Sequence, residues 1–474
     1  MGLATEARRW LAALPPDVGE RVGSMAAWAP RDMLYGSRFR RVRATLAATE
    51  RRSPEDLAAW QNARLAEMVR LAYERVPHYR IAMEARGIRP EHIRTVADLP
   101  ILPLLTKEDV RRDPDALLAR GVPAARRERV STGGTSGAPL SLWIDRGRSS
   151  TEWAFMTWQW GAAGYRLGAR RAVLRGQHVR GAARGRLHEW NPLLDELTLS
   201  TFHLHAETLP AYLETMARYR VEFLHAYPSS ADRLAALLEE QPSLARPRFA
   251  AVLVGSENLY PEQRERIERV FGCRLLSWYG HSEKCLLGAG CESSNDYHLF
   301  PQYGVLEVVD DDGQPVGPGG TGRIVGTGFV NQVMPFLRYA TDDVGTLAEG
   351  PCACGRSYPR LATIEGRSST ERLYGLDGRS FSLGAINSHA DVFRRVRRFQ
   401  FVQERPGEAL LRVEPAKAFT AADARKLGEE YERRAAGSIR FRVEVVEALP
   451  LTGRGKFKFV DQRFDPEASN GHRS

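Results

Sequence analysis

The stretch from residue 131 to residue 137 constrains this chain most, because every residue in it is a hydroxyl side chain or a glycine. The residues are Ser131, Thr132, Gly133, Gly134, Thr135, Ser136 and Gly137. Glycines let a backbone approach a large anion closely, and hydroxyl and N–H groups can then hydrogen-bond its oxygens. The common P-loop is excluded, because Ala138-Pro139 follows where Lys and Ser or Thr are needed. The run predicts a phosphate loop of another nucleotide fold, although a plain surface turn would explain it equally well when taken alone.

At 474 residues the chain is too long for one hydrophobic core, so two or more domains are expected. Its 43% hydrophobic and 27% charged residues are typical of a globular protein. No apolar run reaches the ~18 residues that span a bilayer and no signal-peptide pattern appears, which predicts a cytoplasmic protein without a membrane partner. The net charge of +10 is spread along the chain, which argues against nucleic-acid binding.

Lysine is unusually rare in this basic chain. Of 68 Lys plus Arg residues only six are Lys, and two of these, Lys456 and Lys458, stand almost side by side. A compact ammonium and a planar guanidinium are not equivalent at a reacting centre. The glycine-rich run 451–458 therefore presents two candidate catalytic lysines, whereas a solvated tail would need no special cation.

The apolar pattern divides the chain into successive regions. Residues 1 to about 100 are predicted to be helical, because Ser53-Pro54 supplies a cap and a first-turn proline before apolar residues recur at helical spacing. From Arg170 onward, short apolar runs alternate with helical stretches, which predicts parallel α/β layers. Residues 303–328 alternate around glycine-rich turns and predict an antiparallel segment.

From about residue 366 the chain becomes more charged and poorer in core residues. Strand and helix patterns there predict a small α+β unit of about a hundred residues. The predicted domains are therefore residues 1–366, which include the helical region, and residues 367–474.

Four further motifs carry residue types suited to nucleotide chemistry. They are Gly255-Ser256-Glu257, the run 278–283 (WYGHSE), the run 334–343 (MPFLRYATDD) and the run 451–458 (LTGRGKFK). An aromatic residue, a glycine and a carboxylate at a strand end suit an adenine face, a close backbone approach and a Mg²⁺ ligand. The acidic pair in the third motif suits ribose hydroxyls. Each motif alone is explained as well by an ordinary turn.

Together and in this order, the motifs resemble the adenylate-forming (AMP-binding, acyl-CoA synthetase) superfamily, and most closely its phenylacetate-CoA ligase-like branch. The resemblance covers nearly the whole chain, including Val76-Pro77-His78-Tyr79, Leu104-Leu105-Thr106-Lys107 and the run 226–230. It implies a large N-terminal domain of layered α/β sheets and a small mobile α+β C-terminal domain that carries the catalytic lysine. It also implies ATP and Mg²⁺ as cofactors.

The resemblance implies a role for each matching position. Residues 131–137 match the phosphate loop, and Ser256 and Glu257 match the adenine-contacting loop. Tyr279 matches the residue stacked on adenine, with Gly280 and Ser282 in the same motif, and Glu283 matches the Mg²⁺ ligand. Asp343 matches the ribose-binding residue, and Arg367 matches the arginine near the domain hinge. Lys456 matches the lysine that approaches the carboxylate and α-phosphate, with Lys458 as fallback. His281 is assigned either a substrate-facing role or a part in proton transfer. Asp342 replaces a usual glycine and Ser369 a frequent hinge Asp, which leaves the domain rotation open.

The five cysteines are an odd number, which argues against a disulfide framework in a cytoplasmic chain. Three of them and one histidine (Cys291, His298, Cys352 and Cys354) could form a closed tetrahedral zinc site, with Cys285 in reserve. Reduced, unrelated thiols are the alternative. Some members of the phenylacetate-CoA ligase branch carry a similar set, which favours structural zinc.

The leading hypothesis is an ATP-dependent carboxylic acid ligase that makes an acyl-adenylate and passes the acyl group to coenzyme A. The second hypothesis keeps the adenylate but transfers the acyl group to an amine, a hydroxyl or a carrier-protein thiol. A non-catalytic nucleotide-binding relative and a zinc-dependent hydrolase are the remaining alternatives; a closed zinc site leaves no metal position for water. The acid is not specified, but several aromatic and histidine residues are expected to border its pocket: Trp153, Trp158, Trp160, Phe202, His203, His205 and His225.

Overall fold

In the computed structural model, the residues described are 31–131, 140–177, 179, 185–365, 372–377, 379–382, 395–416, 418–435, 437–452 and 457–465. Several predicted site residues lie outside these ranges, namely Thr132 to Gly137, Arg367 and Lys456. Only the backbone of Ser131 is described. The predicted boundary between residues 366 and 367 also lies outside the described residues, so it stays a prediction.

The helices occur mainly at the N-terminus and between strands. They are α1 (Arg31–Thr49), α2 (Pro54–Arg75), α3 (Pro77–Glu84), α4 (Lys107–Arg112), α5 (Arg148–Gly161), α6 (Leu209–Arg218), α7 (Pro228–Glu240), α8 (Pro261–Phe271) and α9 (Ala421–Arg434). Short 3₁₀ helices span Pro90–His92, Val96–Ile101 and Ala124–Arg126. None of these described helices combines the length and the apolar character needed to cross a membrane.

The strands fall into one large sheet and three smaller ones. They are β1 (Arg127–Ser131), β2 (Ser141–Asp145), β3 (Arg171–Leu174), β4 (His188–Asn191), β5 (Glu196–Leu199), β6 (Phe223–Ala226), β7 (Ala251–Gly255), β8 (Arg274–Gly280), β9 (Leu287–Gly290), β10 (Tyr297–Leu299), β11 (Gly304–Val309), β12 (Thr321–Gly328), β13 (Tyr339–Leu347), β14 (Arg360–Glu365), β15 (Arg372–Tyr374), β16 (Ser380–Ser382), β17 (Val396–Arg405), β18 (Glu408–Pro415), β19 (Arg440–Val445) and β20 (Val460–Gln462).

The large sheet has the strand order β11-β12-β13-β14-β10-β9-β8-β7-β6-β3-β5-β4. Strands β5, β3, β6, β7 and β8 are parallel to one another. In the other half of the sheet, each neighbouring pair in the order β8-β9-β10-β14-β13-β12-β11 is antiparallel. Helices α6, α7 and α8 cover the parallel half, whose strands are buried apolar runs because both faces are packed. Both predicted regions, the parallel layers and the antiparallel segment, are thus parts of one sheet.

The N-terminal helices pack on the antiparallel half of that sheet. Side chains of α2 and α3, such as Leu65 and Met83, share a core with Val305 and Ile324. Helix α2 begins where the sequence predicts, because the Ser53 hydroxyl accepts a hydrogen bond from the Asp56 N–H at 3.1 Å. The helical region is therefore part of the large lobe.

The small lobe is formed by residues 372–465. Its sheet has the order β19-β18-β17-β20, with β17 and β18 antiparallel and both outer pairs parallel. Helix α9 packs on this sheet through Leu427 and Tyr431, which contribute to a separate apolar core with Phe401 and Leu411. The fold is therefore α/β, with a large N-terminal part and a smaller α+β C-terminal part, as the sequence predicts.

The predicted phosphate loop connects the two strands of a hairpin. Strands β1 and β2 pair antiparallel, with Ser131 opposite Ser141. The two ends of the glycine-rich run are consequently neighbours, whereas residues 132–139 themselves lie outside the described part of the chain.

Candidate active site

The motif 279–283 begins at the end of β8 and turns away from the sheet. Tyr279 pairs with Gly288 of β9, and its hydroxyl donates a hydrogen bond of 2.8 Å to Asp343 Oδ2. Burial, followed by the charge of Asp343, raises the pKa of Tyr279 well above its usual value, so the phenol keeps its proton. The predicted adenine-stacking residue and the predicted ribose-binding residue are therefore in direct contact.

A side chain at the next position would crowd the neighbouring strand. A Cβ atom on Gly280 would lie 2.9 Å from a methyl carbon of Leu287 on the neighbouring strand. Ser282, two residues on, is exposed. The turn therefore brings its backbone close to β9 and directs Glu283 back into the core.

Glu283 is buried at 6% exposure. Its Oε1 accepts a hydrogen bond of 3.0 Å from the Tyr339 hydroxyl, and its Oε2 lies 3.7 Å from His281 Nδ1. Burial acts to raise the pKa of Glu283, but His281, a backbone N–H and the Tyr339 hydroxyl outweigh it, so the pKa lies below the ordinary value. An ionised, buried carboxylate is a suitable ligand for a hard cation such as Mg²⁺.

His281 lies beside this carboxylate. Burial lowers the pKa of His281 despite the nearby Glu283 and Asp343 carboxylates, so the ring is neutral near pH 7. Both ring nitrogens are buried, and neither has a hydrogen-bond partner among the described residues. Buried polar atoms usually find partners, so this ring is suited to a contact with a bound molecule.

Asp343 and Asp342 occupy strand β13 with opposite orientations. Asp343 is buried and its N–H donates to the Thr341 hydroxyl at 3.2 Å, whereas Asp342 is exposed and pairs with Lys107 Nζ. The backbone of Asp342 has φ 65°, in the left-handed region that favours glycine and tolerates aspartate. This explains why a residue that replaces a usual glycine is accommodated here.

The strand that carries Asp343 is positioned by a buried arginine. Arg338 is 3% exposed; its Nε donates to Glu307 Oε1 at 3.0 Å and its Nη1 to the Leu102 carbonyl at 2.9 Å. A third hydrogen bond of 2.6 Å joins Nη2 to the Gly313 carbonyl. The guanidinium thus connects β11, the loop before α4 and the turn after β11, and so fixes the start of β13.

Ser256 and Glu257 follow β7 at the same edge of the sheet. Ser256 has φ 69° and its hydroxyl accepts a hydrogen bond of 2.7 Å from Arg175. Glu257 accepts hydrogen bonds of 3.1 Å from the N–H of Ser229 and 3.1 Å from the N–H of Phe457. The carboxylate therefore joins the large lobe to the residue that directly follows Lys456.

The two candidate lysines differ in what the structure describes of them. Lys458 Nζ is engaged by Asp461 Oδ1 at 2.8 Å, within the small lobe. Lys456 lies outside the described residues, but the Phe457 N–H that follows it contacts Glu257. The pairing of Lys458 favours Lys456 as the lysine that is available for chemistry.

The predicted metal ligands do converge. Cys291 follows β9, His298 lies on β10, and Cys352 and Cys354 lie in the loop between β13 and β14. One candidate ligand atom from each of the four residues lies within 4.8 Å of the others. The Cys291 and Cys352 sulfurs are 3.6 Å apart, and Cys354 Sγ is 3.4 Å from His298 Nε2. These separations fit the edges of a tetrahedron around Zn²⁺, about 3.8 Å between two sulfurs for Zn–S bonds near 2.3 Å.

The protonation of the histidine suits this cluster as well. Burial, followed by the charge of Arg356, lowers the pKa of His298 to about 4, so the imidazole is neutral as a metal ligand must be. The reserve ligand proposed from sequence, Cys285, does not belong to the cluster; it is buried in the core with its sulfur 3.7 Å from the Glu283 carbonyl.

Sequence reasoning missed several residues at the site. Tyr339 stands inside a motif that was singled out, yet nothing local indicates that its hydroxyl reaches Glu283. Lys107 could have been found from the rarity of lysine; its Nζ lies 3.4 Å from the Thr341 carbonyl. Of the residues expected near the acid, Trp160 contacts His225 at a ring distance of 4.9 Å, whereas Trp158 donates to Glu50, away from that pair.

Comparisons with known proteins agree with this architecture. Residues 183–335 match the AMP-binding enzyme family, and residues 373–463 match the CapK C-terminal domain. Phenylacetate-coenzyme A ligase from Thermus thermophilus is 29% identical over 66% of this chain and 71% of its own length. Protein CapK from Staphylococcus aureus is 23% identical over 86% of this chain and 90% of its own length. A structure of 2-hydroxyisobutyryl-CoA ligase in the postadenylation state has a TM-score of 0.68 at 22% identity, covering 89% of this chain and 92% of that chain, which establishes a shared fold.

The chain belongs to the adenylate-forming, AMP-binding enzymes. Within that family it lies in the phenylacetate-CoA ligase-like branch, and it is an adenylate-forming ligase. The family, the fold class and the general activity predicted from the sequence are therefore confirmed.

Proposed function

We propose that this ligase uses Mg-ATP to convert a carboxylic acid to an acyl-adenylate and then transfers the acyl group to coenzyme A. The observation that carries the proposal is the contact between two motifs, in which Tyr279 meets Asp343 and Glu283 meets Tyr339. The adenine, ribose and cation functions inferred for these residues would thereby be served by two motifs that two hydrogen bonds join. A carboxylate is a poor acyl donor, so joining it to AMP with loss of pyrophosphate makes transfer possible.

Each residue would act on a distinct part of the reaction. Asp343 would accept hydrogen bonds from the ribose hydroxyls, and Tyr279, held by Asp343, would lie against adenine. Glu283 fits a bound Mg²⁺, which would neutralise charge on the phosphates when present, and the neighbouring His281 would face the substrate. The hydroxyls and N–H groups of residues 131–137 would bind the phosphate oxygens, and Lys456 would stabilise negative charge as the acid attacks the α-phosphate.

The Cys291, His298, Cys352 and Cys354 cluster is proposed to hold a structural zinc ion. The four donors would fill a tetrahedral shell, so no position remains for a reactive water. The ion would then join the loop 348–359 to strands β9 and β10 of the large sheet.

The alternative acceptor, an amine, a hydroxyl or a carrier-protein thiol, is favoured by one observation. The small lobe matches the CapK C-terminal domain, and protein CapK aligns over 86% of the chain whereas the phenylacetate-coenzyme A ligases align over 66–69%. The part of the chain outside those ligase alignments therefore gives no support for coenzyme A in particular.

The experiment measures acid-dependent pyrophosphate release and hydroxylamine-trapped acyl groups across a panel of carboxylic acids, with and without coenzyme A. Lys456→Ala is expected to lower the rate about 100-fold or more, because it removes charge stabilisation at the transferring phosphate. Lys458→Ala is the matched control and should retain most of the rate, since Lys458 is paired with Asp461. A thioester formed only with coenzyme A would support the first acceptor. Full activity of Lys456→Ala, or release that no acid stimulates, would refute the proposal.

A further inference from the structure

A half-buried arginine at the carboxyl edge of the parallel strands has no assigned role. Arg175 follows β3, and the neighbouring strands β6 and β7 bring His225 and Ser256 to the same edge. Arg175 Nη1 is 2.8 Å from His225 Nε2, and its Nη2 donates to Ser256 Oγ at 2.7 Å. Its guanidinium carbon lies 5.0 Å from the centre of the Tyr227 ring. Two neutral partners and an aromatic face therefore fix this cation in one position.

The histidine beside it must be an acceptor. Burial, and then the charges of Arg175 and Arg171, lower the pKa of His225 well below its ordinary value, so the ring is neutral. Its Nε2 then accepts a hydrogen bond from the guanidinium N–H. Trp160 packs on the other side of this ring at 4.9 Å and holds it in place.

The charge on Arg175 is not neutralised by a direct ion pair. Within the described ranges, no carboxylate lies within ion-pair distance of its guanidinium, although Glu196 and Glu257 act on it electrostatically. Glu196 is paired with Arg171 at 2.8 Å, and Glu257 accepts the Ser229 and Phe457 N–H groups. The partly desolvated guanidinium has five donors, of which the hydrogen bonds to His225 and Ser256 use two, so further donors are available for an anion.

The position of Arg175 limits what could neutralise it. Ligands of open α/β sheets bind at the carboxyl ends of the strands, and this edge also carries Ser256 and Glu257. The acid that is to be adenylated must reach the same edge with one carboxylate directed at the nucleotide. Arg175 lies at this edge beside His225, whose ring in turn contacts Trp160.

We propose that Arg175 selects the substrate by binding a second oxyanion, so that the preferred acids carry a second carboxylate or an equivalent anionic group. The inference rests on the proposed adenylation of a carboxylic acid. Bidentate binding of a carboxylate by a guanidinium supplies both charge and geometry. The apolar counterpart of such an acid would cover this half-exposed cation without pairing it, and would therefore bind less well.

The test uses the full-length protein and pairs of acids that differ only in the second carboxylate, such as glutarate with valerate and terephthalate with p-toluate. Two quantities are measured, namely kcat/KM for pyrophosphate release and acid affinity by titration calorimetry. The variants are Arg175→Met, Arg175→Lys and the control Arg170→Met. Arg170 lies at the opposite end of β3, where its Nη1 donates to the Tyr219 carbonyl at 3.1 Å.

The wild type is expected to prefer the diacid of a pair about 100-fold or more. Arg175→Met should abolish that preference with the KM for ATP unchanged, Arg175→Lys should retain part of it, and Arg170→Met should retain it fully. A wild-type preference for monoacids would overturn the inference. The inference would also be overturned if both Arg175 variants raised the KM for ATP with every acid, because that result would place the guanidinium at the nucleotide. If diacids bind in an Arg175-dependent manner but release no pyrophosphate, the inference stands and the proposed adenylation fails.

Discussion

The large lobe and the small lobe contribute to the site by different kinds of contact. In the large lobe, Glu283, Tyr339, Tyr279 and Asp343 are joined by hydrogen bonds within a buried core. The small lobe instead meets the large lobe through charged pairs across a boundary that is incompletely packed. The groups proposed to bind the nucleotide are therefore fixed by the fold, whereas the approach of the small lobe depends on contacts that can be exchanged.

Two ion pairs connect the lobes. Arg233 of α7 pairs with Glu414 of β18, with side-chain exposures of 10% and 3%, and Arg397 of β17 pairs with Glu240 at 22% and 14%. Beside them lies a cavity of about 100 Å³, lined by residues of both lobes, including Tyr260 and Phe457. Ion pairs gain little net stability from burial, because desolvation offsets their attraction. Such an interface can therefore separate more readily than an apolar core.

The largest effect on the reaction rate is expected from a change in the buried, hydrogen-bonded groups of the large lobe. Glu283→Gln keeps the size of the side chain and an acceptor for the Tyr339 hydroxyl, but it removes the charge proposed to bind Mg²⁺. Acid-dependent pyrophosphate release should fall about 100-fold to 1000-fold, because charge stabilisation at the transferring phosphate is lost. Tyr339→Phe is the companion variant and should cost about tenfold, since it leaves the carboxylate in place. Near-normal release by Glu283→Gln would show that this carboxylate has no part in the reaction.

The second prediction concerns what makes the large lobe rigid. Cys354→Ser should reduce zinc, measured by elemental analysis, from about one ion per chain to a small fraction, and should lower the melting temperature by roughly 5–10 °C. Cys273→Ser is the control, because this half-buried thiol lies outside the four-residue cluster. The site would be disproved if wild-type protein, purified in the absence of chelators, contained no zinc. It would also be disproved if the Cys354→Ser variant bound as much zinc as the wild type.

The parts of this molecule that could be predicted from sequence are those set by local rules. The Ser53 cap follows from a short side chain that accepts a nearby N–H group, and it is observed. The strand-end motifs could be located because an apolar run followed by glycine and a carboxylate is a local pattern. Their common position at one sheet edge follows from the parallel strand order. The four zinc-ligand candidates were found because Cys and His have few alternative uses in such spacing.

The partners of those residues could not be predicted, because packing across the sequence determines them. Tyr339 contacts Glu283 at a sequence separation of 56 residues, and Phe457 contacts Glu257 at a separation of 200. The pairing of Arg175 with His225 likewise depends on which strands are neighbours in the sheet. The fold and the positions of the motifs can thus be predicted from sequence, whereas the ion pairs and hydrogen bonds of the site can be assigned only from the structure.

The smallest effects are expected at the boundary between the lobes, where the two ion pairs can be compared with each other. Glu414→Gln removes the charge that Arg233 pairs with in a buried setting, whereas Glu240→Gln removes the partner of the more exposed Arg397. The first change should slow acid-dependent pyrophosphate release about tenfold and raise the radius of gyration measured by small-angle scattering, because a buried guanidinium is left unpaired. The second should slow it about twofold, as solvent screens an exposed pair. Equal, negligible effects would mean that the lobes are held by the ring contact of Tyr260 with Phe459 instead, and Phe459→Ala would then show the larger loss.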